Sequence, residues 1–221
     1  MTTHIDVLTQ MFEENRNAMN AESMKKYMKD HFPFLGIKSP LRKELERQFF
    51  NKTGLLKEPF NKDFVTGLWE KEEREYQYTA LVYLEKSVKK LEKNDLDFME
   101  QLITTKSWWD TVDAIAPKPV GEIARRFPEV IHETIDGWAS HDNMWLRRAA
   151  LLFQLKYKKQ TNEELLYQYI VKNADSKEFF IQKAIGWALR EYSKTNPESV
   201  GKFIAGQKLA PLSVREGSKY V

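Results

Sequence analysis

An alanine recurs along this chain about every 35 residues, each time at the same place in a similar segment. The segments are Tyr76-Gln77-Tyr78-Thr79-Ala80-Leu81, Asp110-Thr111-Val112-Asp113-Ala114-Ile115, Trp145-Leu146-Arg147-Arg148-Ala149-Ala150 and Phe180-Ile181-Gln182-Lys183-Ala184-Ile185. Successive alanines (Ala80, Ala114, Ala149, Ala184) are 34, 35 and 35 residues apart. A small residue at a fixed point lets a neighbouring helix approach closely, as a stack of helices requires. Each segment follows a second amphipathic stretch, at 63–70, 96–104, 129–139 and 163–172. Trp69 and Trp138 hold matching places in two of these, 69 residues or two periods apart. Paired helices at this interval are the mark of a helical repeat array.

Other signals agree. Leu151, Leu152 and Leu155, then Leu165, Leu166, Tyr169 and Ile170, recur at steps of three and four, and alternating strand patterns are scarce. Ser39 reads as an N-cap with Pro40 at the first helical position. Pro128 after Phe127 and Pro197 after Asn196 read as helix starts, and Asp95, Asn162 and Asp175 fit caps or turns. The tetratricopeptide consensus is absent. The expectation is an all-α, HEAT-like helical repeat solenoid forming a single domain over 1–221. About 1–51 would be capping helices that cover one end, and about 61–221 tandem two-helix repeats.

Composition excludes several chemistries. Hydrophobic residues are 42% and charged residues 30% of 221, so the chain folds rather than staying disordered. With no cysteine there are no disulfides, thiolate nucleophiles, iron–sulfur clusters or Cys-type zinc sites. His4, His31, His132 and His141 are scattered, so neither metal nor cofactor is expected. Residues 1–14 lack the basic start and apolar run of a signal peptide, and no stretch approaches the roughly 20 apolar residues of a membrane helix. The expectation is a cytoplasmic protein, nucleoid-associated in a prokaryote, with no membrane partner.

The repeat separates framework from exceptions. In such arrays the second helices line a concave surface, and equivalent positions form rows along it. The position before the alanine reads Thr79, Asp113, Arg148, Lys183. Followed at helical steps, the same stripe holds Trp109 and Asp113, then Arg148, Leu152 and Lys156, then Lys183, Trp187, Arg190 and Lys194. One carboxylate, two indoles and several cations would share an inner face. A charged stripe is usually a plain solvated face, and on spacing alone Asp113 reads more readily as a surface acid pairing with Arg148 of the next repeat than as a catalytic group. Trp69, Trp138 and Trp145 fit the repeat frame as core; Trp108 has no assignment.

Net charge is only +3, yet it is uneven: residues 1–110 sum to −1 and residues 111–221 to +4. Glu72, Glu73, Glu75 and Glu92 are expected to offset cations that face elsewhere. A cationic groove with aromatic faces suits nucleic acid. An aspartate there repels phosphate, and stabilising a positive transition state is one reason to keep it.

Three runs carry a specific likeness. They are Thr105-Lys106-Ser107-Trp108-Trp109-Asp110-Thr111-Val112-Asp113, Asp142-Asn143-Met144-Trp145-Leu146-Arg147-Arg148-Ala149-Ala150, and Ser176-Lys177-Glu178-Phe179-Phe180-Ile181-Gln182-Lys183-Ala184-Ile185-Gly186-Trp187. Together they resemble the AlkD-type DNA alkylation repair family, HEAT-like DNA glycosylases that excise N3- and N7-alkylated purines. The likeness spans nearly the whole chain, to Arg215-Glu216. That family's functional residues match Trp109, Asp113, Arg148 and Trp187 here. The resemblance implies a monofunctional glycosylase acting on alkylated bases in double-stranded DNA without a cofactor, and a monomer is the simpler expectation. Asp113 would stabilise the sugar cation, Trp109 and Trp187 would pack against the lesion nucleotide, and Arg148 would hold a phosphate. Lys156, Arg190 and Lys194 would extend the phosphate track. Lys183 is read as a phosphate contact rather than a Schiff-base nucleophile, so no lyase activity is expected. Family members continue past the point equivalent to Val221, so a shortened last helix is expected to weaken DNA grip or stability. The rival readings are a non-catalytic HEAT scaffold for nucleic acid or protein, and a DNA-structure binder without activity.

Overall fold

Side-chain caps set six of the helix starts. Thr3, Asn17, Asn61, Asn143, Asn162 and Asn196 each accept a backbone N–H at the head of the helix that follows. Such a cap is worth about 1 kcal/mol and satisfies donors the helix cannot. The computed structural model describes residues 3–221, all in helices, turns and loops, with no strand among the described residues. It is an all-α structure, and its contacts divide into two compact units, one ending at Lys90 and one beginning at Leu91.

The first unit holds α1 (His4–Glu13), α2 (Ala18–Tyr27), α3 (Ser39–Thr53), α4 (Lys62–Glu70) and α5 (Arg74–Lys86). The first three occupy the stretch expected to cap one end. Leu8, Phe12, Phe49, Phe64, Leu68 and Tyr83 form the core, with Phe49 stacked on Phe64 at 5.8 Å. Glu75 corrects the expectation of a surface acid. It is fully buried and accepts the N–H groups of Leu35, Gly36 and Ile37 at 3.0, 2.9 and 3.0 Å. Three donors from one loop satisfy a carboxylate that burial would otherwise penalise heavily.

The second unit holds α6 (Asp95–Thr104), α7 (Trp109–Ile115), α8 (Gly121–Arg126), α9 (Asp136–Trp138), α10 (Met144–Leu152), α11 (Glu163–Lys172), α12 (Phe179–Ser193), α13 (Pro197–Gly206) and α14 (Pro211–Gly217). Helices fall on the paired stretches read from the sequence: α6 and α7, residues 129–138 and α10, and α11 and α12. The second helices stack, α10 packing against α7 and against α12. Hydrogen bonds reproduce the period. Trp138 Nε1 donates to Glu100, Asn173 Nδ2 to the Ala139 carbonyl and the Tyr157 hydroxyl to the Gly121 carbonyl, across 38, 34 and 36 residues. Ala149 and Ala184 are fully buried, as the packing argument requires, whereas Ala114 is only half-buried.

Several sequence expectations need correction. Lys38, not Ser39, is the N-cap of α3, so Ser39 and Pro40 both lie inside the first turn. Leu152 is fully buried and does not belong to an exposed stripe. Trp145 is half-buried, unlike Trp69 and Trp138, which are 4% and 3% exposed. The helix that begins at Trp109 passes through a π-turn, Ala116–Val120, before continuing as α8. Pro117 and Pro119 lie in that turn and have no N–H to give, and Gly121 donates across five residues to the Ala116 carbonyl. Residues 131–135 form a second π-turn where an ordinary helix was expected.

Candidate active site

The loop before α7 sets the geometry. Lys106 adopts a left-handed backbone (φ 51°), and Trp108 is extended at the N-cap without a side-chain cap bond. Trp109 opens α7, and Asp113 follows four residues later, on the same helical face.

Asp113 meets Arg148 of the next repeat edge to edge. Arg148 Nε donates to Oδ1 at 2.7 Å and a terminal nitrogen donates to Oδ2 at 2.8 Å. The other terminal nitrogen donates to the Phe180 carbonyl of α12. Side-chain exposure is 17% for Asp113 and 5% for Arg148. Burial pushes the Asp113 carboxyl above the ordinary aspartate value, while the Arg148 hydrogen bonds and charge pull against that shift. Each carboxylate oxygen spends one acceptor direction on Arg148 and keeps another.

An aromatic cluster adjoins Arg148 through Phe180. Trp108, Trp145 and Phe180 meet with ring centroids 5.1 to 5.7 Å apart, and Phe180 also lies 5.9 Å from the Arg148 guanidinium carbon. Phe179, 57% exposed, meets Phe180 edge-on at 5.4 Å. Sequence reasoning left Trp108 unassigned, placed Trp145 in the core and passed over Phe180. Its signal was the pair Phe179-Phe180 at the segment start, which a period alone cannot sort by depth.

The remaining residues sort as follows. Trp109 and Trp187 are half-buried, Trp187 two turns beyond Phe180 on α12. Lys183 and Arg190 approach the Glu216 carboxylate at 3.3 and 3.6 Å, and Lys219 does so at 2.9 Å. Lys194 pairs with Glu191 at 2.6 Å and lies 5.6 Å from the Tyr220 ring centre. Lys156 is exposed in the turn after α10. Arg148 is the most enclosed of these cations. Three of its five N–H bonds are spent on Asp113 and Phe180. A cavity of about 160 Å³ opens beside α10 and α12, lined by Leu151, Leu155, Leu166 and Ala188, with Lys158 and Lys194 contributing. Among the described residues no three His, Asp or Glu side chains are grouped to hold a metal ion. No described helix is long and apolar enough to cross a membrane.

Comparison with known proteins bears on this arrangement. The family profile described as DNA alkylation repair enzyme matches residues 8–221. A solved structure described as a predicted DNA alkylation repair enzyme from Enterococcus faecalis is 36% identical. It superposes with a TM-score of 0.85, covering 93% of this chain and 96% of that one. No curated protein matches the chain. With nearly its whole length matched, the chain belongs to the DNA alkylation repair enzyme family.

Proposed function

We propose that the protein is a monofunctional DNA glycosylase that releases N3- and N7-alkylated purines from double-stranded DNA. The observation that carries this is Asp113, a largely buried carboxylate gripped by Arg148 at 2.7 and 2.8 Å yet 17% exposed. A purine alkylated at N3 or N7 carries a positive charge, so its glycosidic bond is already weak. When that bond breaks, its electron pair neutralises the departing base and the charge moves to the sugar. A fixed carboxylate stabilises that developing charge, and preorganised electrostatics is usually the largest catalytic term. Water then bonds to the sugar carbon and loses a proton, for which the free acceptor directions of Asp113 are available. A charged leaving base needs no general acid, so one carboxylate suffices where neutral glycosides use two.

Arg148 acts in this scheme by holding Asp113 in one orientation, with its two remaining N–H bonds left for a phosphate. Trp109 and Trp187 supply apolar faces and cation–π attraction for the charged nucleotide. Lys156, Lys183, Arg190 and Lys194 supply backbone contacts. Lys183 sits in an ion pair with Glu216 rather than beside a base that would free its amine, which supports the expectation of no lyase step. The test is incubation with duplex DNA containing N7-methylguanine, followed by measurement of free base and of strand cleavage. Base release above the spontaneous rate without cleavage is expected. DNA binding with no release would make the protein a non-catalytic binder.

A further inference from the structure

The basic face of α12 carries its own counter-ion. Lys183 and Arg190 lie two turns apart on α12 and face one carboxylate, Glu216 of α14, at 3.3 and 3.6 Å; Lys219 closes the group at 2.9 Å. Three cations thus share one anion whose side chain is 14% exposed. Backbone packing brings Glu216 up to this face. A Cβ at Gly186 would fall 2.5 Å from Glu216 Cβ and 3.1 Å from the Ser213 carbonyl, so only glycine admits α14 this close. Ser213 is fully buried and its hydroxyl donates to the Gln182 carbonyl at 2.9 Å. Gly217 lies against Leu189 in the same contact. Ion pairs near a surface contribute modestly to folding, and three cations on one carboxylate leave positive charge over.

A carboxylate and a phosphodiester both present two oxygens that share one negative charge, and both accept charge-assisted N–H bonds at similar distances. We propose that Lys183, Arg190 and Lys219 form a site for one backbone phosphate of nucleic acid, with Glu216 as a built-in stand-in that cedes its partners when the phosphate arrives. The proposal rests on the reading of α12 as a DNA-facing helix. The site keeps two surplus positive charges, so it still attracts phosphate. Its cations are already partly neutralised, however, so fewer condensed ions are released on binding and undamaged duplex is held less tightly.

The experiment measures the affinity of the full chain for undamaged duplex from about 50 to 200 mM salt, the range over which phosphate contacts dominate. Glu216→Gln keeps shape and removes the charge. It is expected to tighten binding several-fold and to steepen the logarithmic salt slope by up to about one, the value of one phosphate contact. Unchanged or weaker binding, with an unchanged melting temperature, overturns the proposal and makes Glu216 a fixed support for its cations. Lys219→Met is the second variant, useful if Glu216→Gln does not fold. It is expected to weaken binding and flatten the slope, and no change in either overturns the proposal. Base release from alkylated duplex is followed in parallel. Protein that shows these binding effects but releases no base keeps the phosphate site and loses the glycosylase reading. Protein that releases base while both variants bind normally loses only the phosphate site.

Discussion

Asp113 and Arg148 are joined by two parallel hydrogen bonds across 35 residues, the repeat interval itself. The helices α7 and α10 are neighbours in the stack, so the ion pair occupies the rung between two repeats. Substituting Asp113→Asn keeps the shape and one acceptor but removes the charge. Base release is expected to fall by about 100-fold or more, the scale of losing one preorganised electrostatic partner. Affinity for alkylated duplex should change by only a few-fold. Single-turnover rates and equilibrium binding on the same preparation check this, and equal losses in both would make Asp113 a binding residue.

Removing Arg148 leaves the carboxylate enclosed and without its partner. Arg148→Met is expected to destabilise the protein by roughly 2–4 kcal/mol, somewhat less than a fully buried pair because Asp113 keeps some solvent contact. Urea unfolding measures it. A loss below about half a kcal/mol would place the pair among exposed ion pairs of little worth.

The acid limb of the reaction follows from the environment of Asp113. Its carboxyl is shifted above the ordinary 3.8 by burial, against the pull of Arg148. In the proposed reaction the ionised form is the working one, so the rate is expected to fall as pH drops through a value above 3.8. Stability runs the other way for this group. Its folded value exceeds the unfolded one, so its contribution is fully present below the unfolded value and lost as pH rises through the folded one. Protonating Asp113 in acid therefore removes rate without destabilising the fold. Rates corrected for spontaneous release, with melting temperatures at each pH, check this, and a limb at or below 3.8 contradicts it.

The tryptophans divide by depth. Trp109→Ala and Trp187→Ala, at half-buried positions, should each cost about 0.5–2 kcal/mol of transition-state binding, roughly 2- to 30-fold in rate, with small changes in melting temperature. Trp138→Ala is expected to act on the fold instead, by about 3–5 kcal/mol, because its ring is 3% exposed and its N–H is bonded to Glu100. Thermal melts beside base-release rates separate the two classes.

Gly121→Ala probes the close approach of α8 to the chain after α10. The added Cβ would lie 2.5 Å from the Phe153 carbonyl. Overpacking of this kind costs about 1–3 kcal/mol. An unchanged melting temperature would mean that the contact relaxes freely.

Much of this arrangement is legible in the chain. Four alanines at one interval place the stacking helices, and the residue before each places Asp113 and Arg148 in one row. Period gives position around a helix but not depth. Leu152 and Trp145 share the repeat frame with their equivalents, yet one is fully buried and the other half-buried. Glu216 left no periodic signal: it reaches Lys183 and Arg190 from a helix outside the repeat pattern. The π-turns were hidden for a related reason, since a wider turn has the same apolar composition as the helix around it.

The π-turn at Ala116–Val120 has a consequence for how such genes can change. It places one residue more in the helical path than an α-turn holds, and each residue rotates an α-helix by about 100°. Losing a single codon here would restore ordinary winding and leave composition almost untouched. The turn absorbs that residue, so Asp113 would keep its facing relative to Ile123 and Ala124, which are anchored in the core. The carboxylate would stay on the side of Arg148. A one-residue gap in this stretch of a related gene is therefore a change the site can survive, whereas the same gap inside α7 would rotate its face away.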